Sequence, residues 1–206
     1  MRSRFRKREV YAFIDSQNLN LGTQRMGWKM DWRKFRKFLR QEYSVTKAYM
    51  FIGYMQENES LYEYMHSLGY LVVLKPTLEI HHNTPTEPGQ SEPKEPEKNT
   101  VKGNVDTEIV LTALKEMPNY SQAIVVSGDG DFYSLIEYLL SKQKLAHVMA
   151  PNWQYSTLLK PFEKYIINLD KFSNRLAYTR TAKPKNTGSK NQKTSEQKSG
   201  SPTDRT

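Results

Sequence analysis

Hydrophobic residues in this chain fall into short unbroken runs, separated by stretches in which they recur every three or four positions. The runs read as strands over 9–15, 45–54, 70–78, 122–127, 144–150 and a short 165–168. The periodic stretches read as helices over 31–42, 58–68, 104–117, 131–142 and 155–164. In the first of these, Asp31 stands where an N-cap belongs, and Trp32, Phe35, Phe38 and Leu39 form one apolar stripe. Leu61, Met65 and Leu68 repeat in the same way ahead of Gly69, a natural C-cap. Val105, Ile109, Ala113, Leu114 and Met117 make a third stripe, and Phe132, Leu135, Ile136, Leu139 and Leu140 a fourth. Strands apolar on both sides, alternating with helices, predict a mostly parallel sheet covered on both faces. The expected fold class is therefore a three-layer α/β/α domain over residues 9–172.

Three segments fall outside that pattern. Residues 81–100 contain no apolar side chain and carry Pro85, Pro88, Pro93 and Pro96, the composition of a flexible insertion. From residue 180 to 206 the chain is rich in Lys, Ser, Thr and Gln, which predicts a disordered basic tail. Residues 1–8 form a basic N-terminal extension. The net charge of +9 resides in the two ends: residues 1–9 carry +4, residues 180–206 carry +5, and the body between is neutral. Cationic ends attract polyanions, RNA foremost, by counterion release that ignores sequence; they also serve merely to keep a protein in solution.

Other chemistries are poorly supplied. There is no cysteine, which removes disulfides and thiolate metal or redox sites, and the four histidines are scattered. No apolar run reaches the roughly 20 residues of a membrane span, and the basic start lacks the apolar region of a signal peptide. The expectation is a soluble cytoplasmic protein with no membrane partner and no organic cofactor; oligomeric state is open.

Candidate chemistry sits at strand ends. Ile124, Val125 and Val126 lead into Ser127-Gly128-Asp129-Gly130-Asp131, and a helix pattern leads out. Asp15 ends the first strand in the same way, and Asp106 opens the helix beginning near 104. Gly and Asp are turn formers, and an Asp at a helix start is an ordinary cap or first-turn carboxylate, so each position alone has a structural explanation. Together they place acids at the carboxyl ends of strands, where open α/β sheets hold ligands. Carboxylates gathered there repel one another, and a divalent cation is the simplest counterweight.

The segments Phe13-Ile14-Asp15-Ser16-Gln17-Asn18, Lys102-Gly103-Asn104-Val105-Asp106 and Val126-Ser127-Gly128-Asp129-Gly130-Asp131-Phe132 resemble the three motifs of the NYN domain, a LabA-like family of the PIN-like nuclease superfamily. The resemblance spans about residues 9–170, with the motifs in the family's order, the third being the most specific. It implies a PIN-like α/β/α fold and metal-dependent cleavage of RNA. It implies Asp15, Asp106, Asp129 and Asp131 as the catalytic and metal-binding acids, with Asn18 and Ser127 in support. The Pro-rich insertion before Lys102 departs from the family pattern and bears on substrate access.

Magnesium or manganese on such carboxylates lowers the pKa of a bound water, and a second ion would stabilise the leaving oxygen, so no histidine or cysteine is required. Arg33, Lys34, Arg36, Lys37 and Arg40 lie away from the apolar stripe of their helix and are candidates to track an RNA backbone, with Arg33, Lys37 and Lys102 as the named contacts; a solvated helix face is the ordinary alternative. Met26, Trp28 and Trp153 lie in loop-like stretches and are candidates either to stack bases or to cover the edge of the core. Two other classes stay in view. One is a non-catalytic RNA-binding or regulatory module. The other is a phosphohydrolase of the haloacid dehalogenase type, disfavoured because that class places a second Asp two positions after its nucleophile and residue 17 is Gln.

Overall fold

The computed structural model describes residues 9–75 and 105–179. The insertion at 81–100, Lys102, the basic extension 1–8 and the tail 180–206 lie outside the described residues. Among the described residues, six strands form one sheet: β1 (Val10–Asp15), β2 (Val45–Gly53), β3 (Leu71–Lys75), β4 (Gln122–Val126), β5 (Leu145–Ala150) and β6 (Ile166–Asn168). Their order is β3-β2-β1-β4-β5-β6 and every pairing is parallel. Six α-helices accompany them: α1 (Ser16–Arg25), α2 (Trp32–Tyr43), α3 (Glu59–Ser67), α4 (Asp106–Lys115), α5 (Tyr133–Ser141) and α6 (Ser173–Leu176).

The alternation of β1 builds both faces of the sheet. Val10, Ala12 and Ile14 enter one apolar cluster with Leu19 of α1, Phe35 and Leu39 of α2 and Leu176 of α6. Tyr11 and Phe13 enter the other, with Ile109 and Ala113 of α4 and Leu135, Ile136 and Leu139 of α5. Both faces are covered, as the unbroken apolar runs require, and the PIN-like α/β expectation holds. Strand order runs outward in opposite directions from the β1–β4 pair. Their carboxyl ends therefore flank the crevice in which such sheets bind ligands.

Where the pattern misled, a local cause is visible. Helix α1 was not expected, because Ser-Gln-Asn-Leu-Asn-Leu-Gly-Thr-Gln-Arg has little apolar periodicity. It is held by its cap at Asp15, by buried Leu19 and Thr23, and by close packing of Gly22 on Pro151. In α3 the buried side chains are Tyr62 and Met65, whereas Leu61 is exposed. The Tyr62 hydroxyl accepts from the Met55 N–H at 2.8 Å, which satisfies it inside the fold. Leu114 of α4 is likewise exposed, the buried row being Val105, Ile109 and Ala113. The helix expected at 155–164 is a 3-10 helix, Thr157–Tyr165, interrupted near Pro161, which has no N–H to donate. The folded part also continues beyond residue 172: α6 buries Leu176, and the Asp31 N–H donates to the Leu176 carbonyl.

Gly22 illustrates how tertiary packing outranks propensity. In a helix interior, Gly→Ala ordinarily gains up to about 1 kcal/mol. Here an added Cβ would overlap the Pro151 ring. Gly22→Ala is therefore expected to lower stability by roughly 1–3 kcal/mol, the usual cost of overpacking, read as a lowered urea midpoint. A raised midpoint would show that α1 is free to move away from Pro151.

Candidate functional site

Asp15 ends β1 and caps α1 in one step. Its Oδ1 accepts from the Asn18 N–H at 2.9 Å, so the carboxylate is held at the positive end of the helix. Across the crevice the Ser127 hydroxyl donates to Asp15 Oδ2 at 3.5 Å, a long contact, and accepts from the Asp129 N–H at 3.1 Å. Asp129 in turn accepts from the Asp131 N–H at 3.1 Å and so caps the short 3-10 turn Gly130–Phe132. Asn18 closes the circuit, its Oδ1 accepting from the Gly128 N–H at 2.9 Å. The supporting positions thus tie the start of α1 to the turn after β4.

The two glycines of that turn are there for room. Positive φ among the described glycines is confined to Gly27 and Gly69. A Cβ on Gly130 would overlap the Ser156 hydroxyl and crowd Leu158, and one on Gly128 would press against Pro151 and Tyr155. The Ser156 N–H donates to the Gly128 carbonyl at 2.9 Å, pinning the loop after β5 onto the turn. Asn152, also in that loop and buried, donates to the Gly22 carbonyl at 2.7 Å and accepts from the Gln154 N–H at 2.7 Å. Sequence reasoning passed over Pro151 and Asn152. Their one signal was position, directly after the carboxyl end of a central strand.

The electrostatics centre on Asp15. The residue is only 6% exposed. Burial pushes its carboxyl up from 3.8 to about 6; the charges of Asp106 and Asp129 push the same way, while the Asn18 N–H and the Ser127 hydroxyl oppose them. The fold thus brings Asp15, Asp106 and Asp129 into one field. Asp106 reaches it from the first turn of α4, and Asp129 from the turn after β4. Asp131 is exposed beside them. Among the described residues no three acidic or imidazole side chains sit close enough to enclose a single ion.

The NYN domain family model matches residues 9–170, about four fifths of the chain. The chain belongs to the NYN family. NYN domains are in general PIN-like nucleases. The chain is similar to the low amplitude and bright protein LabA of Synechococcus elongatus, with 26% identity over 87% of this chain and 94% of that protein. Its fold is similar to the crystal structure of a protein of unknown function from Vibrio parahaemolyticus, with a TM-score of 0.63 and 22% identity over 86% of this chain and all of that one. No helix among the described residues is long and apolar enough to cross a membrane.

The basic face of α2 is divided in this NYN domain. Lys34 donates to the Ala177 carbonyl at 2.7 Å and Arg36 to the Gly69 carbonyl at 3.0 Å, so both serve the fold. Arg33, Lys37 and Arg40 are exposed. Because α2 leads into the start of β2, Arg33 lies nearest the carboxyl edge and Arg40 farthest from it. Of the loop aromatics, Trp28 is structural, its indole N–H donating to Asp170 at 2.8 Å. Trp153, 64% exposed, stands in the loop beyond β5.

A carboxyl whose folded pKa lies above its unfolded value binds its proton more tightly in the fold. Its contribution to stability is fully present below about pH 4 and is lost as the pH rises through about 6. The shift of about two units corresponds to roughly 3 kcal/mol for the metal-free protein. Asp15→Asn retains an acceptor for the Asn18 N–H and removes the charge. With a chelator present, its advantage over the parent is expected to be small at pH 4 and to grow through pH 6, read from urea midpoints of both proteins. An advantage that stays constant with pH would show that Asp15 is not held in an unfavourable charged state.

Proposed function

We propose that this chain is a metal-dependent ribonuclease whose Asp15, Asp106 and Asp129 hold Mg2+ or Mn2+ at the carboxyl edge of the sheet. The observation that carries the reading is the buried Asp15 carboxylate, raised to about 6 and facing two further acids at the crevice between β1 and β4. Leaving charge uncompensated there is costly unless a cation joins it. The donor set is hard oxygen, which suits these ions. Magnesium keeps several waters and binds through one or two carboxylates plus phosphate, so it does not require three acids close enough to enclose it. When bound, the ion supplies an activated water and neutralises charge developing on the phosphodiester.

The chain's own residues divide the remaining work. Asn18 and Ser127 fix the orientation of Asp15 and the turn bearing Asp129. Asp131, exposed beside them, is proposed to engage an outer water or a second ion. Arg33 and Lys37 on α2, with Lys102 outside the described residues, are proposed to hold the RNA backbone. The cationic ends, 1–8 and 180–206, add attraction that is independent of sequence.

Single-turnover cleavage of unstructured RNA should depend on added Mn2+ or Mg2+. Asp15→Asn is expected to lose at least about a hundredfold in the cleavage step while RNA binding, read at two salt concentrations, changes little. Deleting 1–8 and 181–206 is expected to do the reverse, weakening affinity and flattening its salt dependence. Metal-independent binding without cleavage would favour the non-catalytic RNA-binding module. Undiminished cleavage by Asp15→Asn would refute the assignment and point to a contaminating nuclease.

A further inference from the structure

A cleft of about 280 Å³ opens beside the acidic cluster, on the β2 side of β1. Met50, Met65 and Trp32 give it an apolar lining, Leu61 contributes at its exposed lip, and Gln17, Asn20 and Asn58 bring carboxamides, that of Asn20 already accepting from Gln24 at 3.0 Å. Its volume lies at the small end of ligand sites, roughly 300 Å³, enough for a single nucleoside. No charged side chain lines it. A phosphate therefore has no cationic partner inside, and the occupant that suits it is a neutral ring with polar edges.

The other two carboxamides, Gln17 and Asn58, strengthen that reading. Asn58 occupies the N-cap position of α3, where an Asn side chain ordinarily accepts from the helix backbone, yet here it makes no capping bond. Among the described residues neither the Asn58 nor the Gln17 side chain hydrogen-bonds to the protein, so each offers a donor and an acceptor at the cleft. A donor–acceptor pair matches the edges of nucleobases, and single-stranded RNA is read by such edges together with stacking on aromatic side chains. The exposed Met55 at its rim can adapt to a ring of either size.

Position links the cleft to the chemistry. Ser16 and Gln17 line it and directly follow Asp15, and Gly53 lies two residues past Phe51, the β2 partner of Asp15. We propose that this cleft is a base-selective subsite, holding the base of a nucleotide adjacent to the phosphate positioned at Asp15. The proposal rests on the ribonuclease reading for its register but has a test of its own.

The full chain is titrated with AMP, GMP, CMP and UMP, following Trp fluorescence and NMR shifts. It is also assayed on four oligonucleotides that differ at one position. One base is expected to bind about tenfold or more tightly than the weakest, with the same base favoured next to the cut. Gln17→Ala combined with Asn58→Ala should bring that ratio toward one, with an unchanged melting temperature confirming the fold. Base-selective binding without any cleavage would keep the cleft and remove the nuclease. Cleavage with no base preference in either assay would remove the cleft and keep the nuclease. Selective binding with indiscriminate cutting, or selectivity untouched in the double variant, would overturn the proposal.

Discussion

Val10–Ile14 of β1 lie in parallel register against Gln122–Val126 of β4, and the site depends on that pairing more than on any other contact. From it the chain runs outward through β2 and β3 on one side and through β5 and β6 on the other. The connections leaving β1 and β4 therefore diverge, and the crevice between their carboxyl ends has to be filled by side chains and turns. Asp15 and the Ser127–Asp131 turn fill it. Asn18 joins the two sides by accepting from Gly128 while its own N–H serves Asp15.

This arrangement holds a carboxylate where it is costly. Asp15 is buried, pushed up to about 6 and surrounded by like charge, and the fold tolerates it through a helix N-terminus, one backbone N–H and one long hydroxyl contact. Strain of this kind concentrates at functional positions, where local consistency gives way to a site. The rigidity comes from behind: Pro151 against Gly22, Asn152 on the Gly22 carbonyl, and Ser156 on Gly128 hold both turns from the loop after β5. A packed support of that sort keeps the acids in one field despite their mutual repulsion.

The carboxyl edge also has a division of character. On the β4 side of β1 lie acids and tight glycine turns; on the β2 side lies a cleft of apolar and amide groups without charge. Under the proposed reading, the acids with their cation take the charged backbone of the substrate and the neutral cleft takes a flat base.

Much of this was legible in the chain itself. Unbroken apolar runs announced a parallel sheet covered on both sides, because a strand buried on both faces has no position to spare for polar residues. Asp15, Asp106 and the Ser127–Asp131 turn announced themselves as acids at element boundaries. The helix α1, whose sequence is polar, did not, since its stability comes from the Asp15 cap and from Pro151, more than 100 residues away. Nor did the division of α2 into structural Lys34 and Arg36 and exposed Arg33 and Lys37, because a lysine bonded to a distant carbonyl looks like any other lysine in sequence. Asn58, Gln17 and Met65 show no common pattern along the chain and meet only in the cleft. Periodicity and turn chemistry are local properties, so sequence determined the strands, the helices with an apolar stripe and the acids between them. Burial, the shifted carboxyl and the cleft arise from contacts between distant residues, and only the tertiary structure decided them.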